Sequence, residues 1–277
     1  VRFRQGQPEK IGGWLKRTDS TFAGTCRALL AWTSLTGTEY IGLGTSSKLY
    51  VEDGGVPADI TPIRASSTIN ANPFNITGGS AEVIVTDTAH GAVEGDYVTY
   101  SGATSSDSTL TATVMNSEYR IHTITNANTY VVTMSALANG SDATEGASSV
   151  TAAYQINSGL DTVVGGTGWG ADTWGSATWG TAAATAATDP TQQVRLWSLQ
   201  TFGEDLLANI YNGGIYQWDT SAGTGTRAVN ITSLAGSADA PTICRRLVVA
   251  AESRHLLALG CDPTGGSGTQ DTLLIRW

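Results

Sequence analysis

Short apolar runs separated by turn residues recur along this chain. Between residues 28 and 63 four such runs follow one another, at 28–32, 40–43, 48–51 and 60–63. They are rich in branched and aromatic residues, and Gly, Thr, Ser and Asp lie between them. Runs of this length and composition predict an antiparallel meander of four strands.

The same layout returns twice later in the chain. It begins again at Val194 and a third time at Cys244, so that the runs 41–43, 206–208 and 257–259 occupy equivalent places. A four-strand unit of roughly forty residues is typical of a β-propeller blade. Because one blade cannot bury both of its faces, several must stack around an axis. The pattern therefore predicts an all-β fold with a partial β-propeller, of which three blades are visible.

A long interruption separates the first two units. Residues 65–158 carry apolar runs at 81–86, 97–100, 119–124, 130–134 and 150–156. These runs predict a small β-barrel or sandwich inserted into a loop of the propeller, where an insertion leaves the host core intact. Between the first two runs, Gly91 and Gly95 predict a tight turn, because glycine adopts positive φ angles without steric cost.

A connector rich in glycine and tryptophan follows the inserted module. Trp169, Trp174 and Trp179 are spaced by five residues, which fits neither a helix nor a strand. We expect these indoles to contact a neighbouring surface, since freely exposed ones would promote association. The predicted domains are an N-terminal strand segment with the first blade (1–64), the inserted β-domain (65–158), the connector (159–190) and further blades (191–277).

Charge and cysteine content argue against some classes of protein. The net charge is −9, which argues against general adhesion to polyanions. Positive charge is concentrated near the start of the chain, where Arg2 and Arg4 form either a contact surface for a subunit or nucleic acid, or a solvated strand. Arginine outnumbers lysine, and it is the better residue for buried or interfacial ion pairs. The three cysteines form no C-x-x-C pair, so we expect free thiols, with burial of Cys26 and Cys244.

The lengths of the apolar runs and the two ends of the chain also bear on the kind of polypeptide this is. No run approaches the length that a membrane helix needs. The chain opens without Met and ends at Trp277 within an apparent strand, so we expect it to be part of a longer polypeptide.

The residue types that carry catalysis do not assemble into a motif. His90, His122 and His255 are isolated from one another, and neither G-x-S-x-G nor a phosphate-binding loop occurs. Glu204 and Asp205 are adjacent, so on a strand they would point to opposite faces and could not share a substrate. We predict no catalytic residue, no cofactor and no metal ligand, and we expect that the chain is not an enzyme.

Several phrases of the sequence resemble tail structural proteins of short-tailed bacteriophages. They are Gly12-Gly13-Trp14, Cys26-Arg27-Ala28-Leu29, Ile41-Gly42-Leu43-Gly44-Thr45, Asp59-Ile60-Thr61-Pro62 and the stretch from Arg195 to Asn209. The inserted piece, with 88–98 and 127–130, is similar to a small β module of phage structural proteins. The resemblance implies a propeller-bearing component of the tail nozzle or tail tube.

On this resemblance we expect a structural virion protein of the tail, synthesised in the cytoplasm of the bacterial host. Its partners would be copies of itself in a ring, other tail proteins such as adaptor and fibres, and DNA that crosses the lumen without specific binding. The residues expected to contact a subunit or a glycan are Trp169, Trp174, Trp179, Arg2 and Arg4.

Two alternatives from other classes stay open. The chain could be a tail-associated adhesin that binds a host receptor or glycan, with the connector tryptophans as sugar platforms. It could also be a hydrolase, although no residues can be named for that role. Residues 172–179 resemble the turn of sialidase-type propellers with two extra residues, and that turn is structural.

Overall fold

The fold is all-β. The computed structural model describes residues 2–9, 18–147, 149–159, 196–265 and 268–277, and within them the chain forms 21 strands and one short α-helix. The strands are β1 (Arg2–Arg4), β2 (Gln7–Glu9), β3 (Cys26–Thr33), β4 (Glu39–Thr45), β5 (Leu49–Glu52), β6 (Pro57–Asp59), β7 (Ile63–Asn70), β8 (Phe74–Ile76), β9 (Glu82–Thr86), β10 (Tyr97–Ser101), β11 (Glu118–Asn126), β12 (Thr129–Thr133), β13 (Asp142–Glu145), β14 (Ser149–Gln155), β15 (Trp197–Phe202), β16 (Asp205–Ile210), β17 (Ile215–Trp218), β18 (Val229–Asn230), β19 (Arg246–Ala250), β20 (His255–Leu259) and β21 (Ile275–Arg276). The helix is α1 (Ala112–Met115), and β1 and β2 form a separate hairpin.

The predicted four-strand meander is present in the first repeat. Strands β3, β4, β5 and β6 pair in that order to form the first sheet, all antiparallel. The position predicted for its last strand, 60–63, is wrong, because the turn at Gly54 and Gly55 returns the chain at once and β6 occupies Pro57–Asp59. Ile60 is fully buried just beyond that strand, and Ile63 already begins β7.

The second and third repeats form sheets of the same kind. Strands β15–β18 make the second sheet, and β19–β21 make the third sheet, which has three strands among the described residues. Two single 3₁₀ turns, at Thr220–Ala222 and Ile231–Ser233, lie outside the strands of the second sheet.

The three sheets stack face to face in chain order. On β16, Leu206, Ala208 and Ile210 pack against the first sheet, whereas Leu207 packs against the third. This division follows from the strand, whose successive side chains point to opposite faces. The middle sheet is therefore covered on both sides, and the first strands of the sheets lie side by side, β3 against β15 and β15 against β19.

Close approach of the first two sheets requires glycine. The indole of Trp197 lies over Gly44 of β4, and its Nε1 donates a 2.7 Å hydrogen bond to the Thr45 carbonyl. A Cβ on Gly44 would lie 2.5 Å from the Trp197 Cδ1 atom, a distance that no side chain tolerates. At the turn ends of the same two sheets, the Trp32 indole donates to the Glu204 carbonyl at 2.9 Å.

Strands β7–β14, here called the insert, lie in the chain between the first and second sheets. They form one sheet in the order β13-β8-β9-β12-β11-β10-β14-β7, which bends at a bulge in β11 between Ile121 and Thr123. All five strands predicted for this region exist. Strands β7, β8 and β13 and helix α1 were not predicted. The two halves enclose one apolar core, which includes Phe74, Val83, Val98, Tyr130 and Tyr154. Closure of the stacked sheets into a propeller and the four domain boundaries given above stay predictions.

Candidate functional site: a charged cluster between the insert and the stacked sheets

A cluster of buried and partly buried charges lies where the insert meets the stacked sheets. Lys48 immediately precedes β5 and Asp59 ends β6, both in the first sheet. Glu118 begins β11 in the insert, and Arg227 precedes β18 in the second sheet. We call these four residues the charged cluster. It joins three separately formed parts of the fold at one place.

Lys48 is the hub of the charged cluster. Its Nζ donates to Asp59 Oδ2 at 2.7 Å and to Glu118 Oε1, and only 6% of its side chain is exposed. It also lies over the ring of Tyr97 in the insert, 4.5 Å from the ring centroid. A lysine that is this well buried needs such partners, because an unpaired ammonium is costly to remove from water.

Arg227 completes the charge balance from the second sheet. Its Nη1 lies 3.4 Å from Asp59 Oδ1 and its Nη2 lies 3.6 Å from Glu118 Oε2. The same Nη1 donates to the Thr61 carbonyl at 2.7 Å, and the Gln155 amide donates to the carboxylates of Asp59 and Glu118. Two cations thus face two carboxylates, and the net charge of the cluster is zero.

The charges hold each other in the ionised state. Burial alone would lower the pKa of Lys48, but the carboxylates of Asp59 and Glu118 outweigh it and hold that pKa above its ordinary value. For Asp59, burial would raise the pKa, and the charge and hydrogen bond of Lys48 outweigh it and hold that pKa below its ordinary value. Both directions indicate that the ion pairs are stronger than the cost of desolvation.

The geometry gives the cluster a mechanical role. A rotation of the insert against the first sheet would separate Glu118 from Lys48 and Arg227, so that Asp59 alone would balance two cations. The cluster therefore fixes the direction in which the insert projects from the stacked sheets.

A second polar network stiffens the core of the insert. The hydroxyls of Tyr100 and Tyr130 are 2.8 Å apart, and those of Tyr130 and Tyr154 are 2.9 Å apart. Tyr154 donates to Asp87 Oδ2 at 2.6 Å, and Ser67 donates to the other oxygen of that carboxylate at 2.7 Å. Burial raises the pKa of Tyr130 to about 12, so the chain of hydroxyls is neutral around the Asp87 carboxylate.

A half-open groove of about 280 Å³ runs between the insert and the second sheet. Its polar lining comes from Arg64, Asn157, Tyr216 and Asn230, and its apolar lining includes Ile210. The Arg64 guanidinium lies 3.6 Å from the Asp96 carboxylate. The Tyr216 ring itself belongs to the core between the first two sheets and is 9% exposed, so the groove offers mainly the Arg64 guanidinium and the side-chain amides of Asn157 and Asn230.

The predicted contact residues fall outside what the structure describes. Trp169, Trp174 and Trp179 belong to residues that are not described, as does the turn at 172–179. Arg2 and Arg4 lie in β1, but their side chains are not described. Their role in contact with a subunit or a glycan stays a prediction.

The three histidines lie in separate parts of the fold and have different surroundings. His90 is buried in the predicted turn, where its Nδ1 accepts from the Ala92 amide at 3.0 Å and its Nε2 lies 3.0 Å from the Asn126 carbonyl. Gly91 and Gly95 in this turn have φ of 59° and 90°, as predicted. His122 is exposed on β11, and the exposed His255 stacks edge-on against Trp277.

The acidic pair and the cysteines have structural positions. Glu204 lies in the turn before β16 and Asp205 begins that strand, where it accepts hydrogen bonds from Gln217 and the Thr220 amide. The predicted burial holds for Cys244 and is wrong for Cys26, which is exposed because a bulge between Cys26 and Ala28 disturbs the start of β3. Burial raises the pKa of the Cys244 thiol to about 12.

Within the described part of the chain, no three or more His, Cys, Asp or Glu side chains are grouped so that they could hold a metal ion. No helix there has the length and apolar character of a membrane span.

The chain shows little similarity to known proteins. No protein-family model matches the chain, and no curated protein matches it. Among solved structures it is similar to the endosialidase of phage phi92, with 12% sequence identity and a TM-score of 0.28. The match covers 75% of this chain and 28% of the endosialidase chain.

Proposed function

We propose that this chain is a structural component of a bacteriophage tail, placed at the nozzle or tube end and without enzymatic activity. The observation that carries the proposal is the serial stacking of like sheets through their first strands, with the insert fixed to them by the charged cluster. The order of tail-protein phrases along the sequence supports it independently.

The mechanical work follows from this arrangement. Stacked sheets form a stiff wall, and the charged cluster sets the angle between the insert and that wall. Copies arranged around an axis would therefore all project their inserts at the same angle. Copies of this chain would pack side by side around a passage for DNA, with adaptor and fibre proteins at the ends. The net charge of −9 suits a wall that DNA must pass without adhering, because phosphate contacts supply most non-specific affinity.

The proposal is tested by locating the chain in virions. Antibodies against the purified chain, coupled to gold, are applied to tailed phage particles whose genome encodes it, and the particles are imaged by electron microscopy. We expect label at the tail tip on the tail axis. Particles without label, or label confined to the capsid, would contradict the proposal.

A glycan-binding adhesin is the second candidate, and the polar groove lined by Arg64, Asn157 and Asn230 favours it. As an adhesin the free chain should bind host cells or a glycan array, and Arg64→Ala should abolish binding. Arg246→Ala, a change at an exposed arginine of the third sheet outside the groove, is the matched control. Binding that is lost only with Arg64→Ala would replace the structural proposal.

A further inference from the structure

Two buried cysteines face each other across the hairpin of the third sheet. Cys244 lies just before β19, and Cys261 lies just after β20. Both side chains are fully buried, and both are free thiols. They belong to one apolar cluster between the second and third sheets. The proposed function gives this pair of nucleophiles no role.

Two backbone hydrogen bonds bracket the cysteine pair. On one side, the Arg245 amide donates to the Leu259 carbonyl at 3.0 Å. On the other side, the Asp262 amide donates to the Ile243 carbonyl at 3.3 Å. The two cysteines lie between these bonds, in a non-hydrogen-bonded position, where facing Cα atoms of a regular antiparallel ladder are about 4.5 Å apart. A disulfide needs about 4.4–6.8 Å between its Cα atoms, so the position suits one.

The backbone groups of both cysteines point away from the pair. The Cys244 amide donates to the Gly213 carbonyl at 2.9 Å, and the Asn209 side-chain amide donates to the Cys244 carbonyl at 3.3 Å. The Cys261 carbonyl accepts from the Asp271 amide at 3.0 Å. This is the orientation of residues in a non-hydrogen-bonded pair, because their amides and carbonyls serve the neighbours on their outer sides.

A bulge supplies one extra residue next to Cys261. Between the two bracketing hydrogen bonds, Gly260 and Cys261 together face Cys244, which is the arrangement of a wide β-bulge. Gly260 has a φ of 58°, which glycine adopts without steric cost. Because Gly260 has no side chain, the sulfur of Cys261 is the one that meets Cys244. Their proximity has an electrostatic sign as well: after burial, the charge of Cys261 is the next cause that raises the pKa of Cys244.

We propose that Cys244 and Cys261 form a redox site whose oxidised state is a disulfide within the third sheet. The bridge would close the hairpin at the end opposite its turn at 251–254. Cys244 is also bridged to Gly213 of the second sheet, so the disulfide would lie where the two sheets join. The oxidant is a small disulfide, for which oxidised glutathione is the probe.

The reaction balances in two exchange steps. The thiolate of one cysteine attacks a sulfur of oxidised glutathione, forms a mixed disulfide and releases one glutathione thiolate. The thiolate of the other cysteine then attacks the protein sulfur of the mixed disulfide and releases the second glutathione. The pair loses two protons and two electrons, and oxidised glutathione takes up both as it becomes two thiols.

Burial limits the rate of this exchange in the folded chain. It raises the pKa of both thiols, so few thiolates are present at neutral pH. Glutathione reaches the sulfurs while this end of the third sheet is open, most directly during folding. Once formed, the disulfide is shielded from reductants by the same burial.

The compartment decides which state prevails. Thiols stay reduced in a reducing cytoplasm and are oxidised outside it. A tail protein would therefore carry the dithiol when it is made and the disulfide after the virion is released. This timing rests on the proposed function, whereas the pairing of the two cysteines does not.

The test compares oxidation of the folded and unfolded chain. A Cys26→Ser variant of the full chain leaves only the two buried cysteines. It is reduced, unfolded in urea and refolded in mixtures of reduced and oxidised glutathione. After acid quenching and alkylation, mass spectrometry counts the free thiols and identifies the linked peptides. We expect a chain about 2 Da lighter than the dithiol, since the disulfide lacks two hydrogen atoms.

The native fold should favour the disulfide. At the same glutathione ratio, the ratio of disulfide to dithiol should be at least about tenfold higher in native buffer than in urea, because a bridge that fits the fold constrains mainly the unfolded chain. The urea midpoint of the oxidised chain should be higher than that of the reduced chain. Adding Cys244→Ala to the Cys26→Ser chain gives the matched control, whose urea midpoint should not depend on the redox mixture.

Two results would overturn the inference. One is a disulfide ratio that is no higher in native buffer than in urea, and the other is an oxidised chain with a lower urea midpoint than the reduced chain. The second result would mean that the bridge strains the hairpin. Neither result affects where gold label falls on virions, so failure of the redox site is distinguishable from failure of the tail assignment.

Discussion

Replacing Lys48 by methionine should loosen the joint between the insert and the stacked sheets. Methionine retains most of the length and apolar stem of the side chain but removes the ammonium. The carboxylates of Asp59 and Glu118 would then face each other with Arg227 as their remaining cationic partner, at 3.4 and 3.6 Å. The variant therefore tests whether the charge of Lys48, and not its bulk, holds the parts together.

The size of the effect follows from burial. Breaking a buried ion pair by removing one partner costs about 3–5 kcal/mol, whereas an exposed pair contributes about 0–1 kcal/mol. The Lys48 side chain is 6% exposed, but those of Asp59 and Glu118 are 22% and 28% exposed, so water and Arg227 compensate the two carboxylates in part. We expect the free energy of unfolding to fall by about 2–3 kcal/mol, below the fully buried range.

Urea unfolding measures this loss, followed by tryptophan fluorescence and by circular dichroism. All eight tryptophans of the chain lie outside the insert in the sequence, and Trp32, Trp197 and Trp218 lie in the first and second sheets, whereas circular dichroism follows every sheet. Both midpoints should decrease in Lys48→Met. Glu118→Gln should act in the same direction, and Glu82→Gln, at an exposed glutamate of the insert, is its matched control. A loss below about 0.5 kcal/mol in Lys48→Met, typical of a surface pair, would refute the reasoning.

The same cluster sets a pH window for stability. Because the folded pKa of Lys48 is raised, its contribution is complete below pH 10.5 and is lost as pH rises through the folded value. Because the folded pKa of Asp59 is lowered, its contribution is present above pH 3.8 and is lost as pH falls through the folded value. Lys48→Met should reduce both losses, which urea midpoints measured across this range would show.

Three further changes test other contacts. Gly44→Ala should reduce stability by about 1–3 kcal/mol through overpacking against the indole above it, and Gly54→Ala, where a Cβ meets open space, should not; equal midpoints would contradict this. Tyr154→Phe should cost about 1–3 kcal/mol because the buried carboxylate of Asp87 loses a donor, and an unchanged thermal midpoint would argue against the hydroxyl network. Native protein should react quickly with a thiol reagent at Cys26 alone among the three cysteines, as peptide mapping would show, and rapid labelling of the buried pair would contradict the described burial.

Many strands could be predicted because buried and exposed residues alternate along them. In β9 and β10 every second residue is buried, and such a pattern is legible without the structure. Strand β7 reads Ile-Arg-Ala-Ser-Ser-Thr-Ile-Asn, and most of its side chains are exposed, so no apolar run marks it. The last strand of the first sheet was misplaced for the opposite reason, since Ile60 is buried by the second sheet without being part of a strand.

The charged cluster could not be predicted because its members come from three parts of the fold that are far apart in the chain. Lys48 opens an apolar run, which predicts a strand residue there, and Glu118 lies in a different module 70 positions later. Only the tertiary fold brings them within hydrogen-bonding distance. One signal was available: a lysine between a turn and the fully buried Leu49 needs a partner. The abundance of arginine over lysine indicated interfacial ion pairs in general but not their positions.

The first and last strands of the insert are neighbours, since β7 and β14 pair and place Ile63 across from Gln155. The polypeptide therefore departs from the stacked sheets and rejoins them at almost the same point, about 5 Å apart, the spacing of adjacent strands. Recombination or engineering could exchange the whole module through two nearby junctions without rerouting the host chain. What an incoming module would have to supply is an acidic side chain opposite Lys48 and Arg227, which makes that carboxylate the requirement for compatibility.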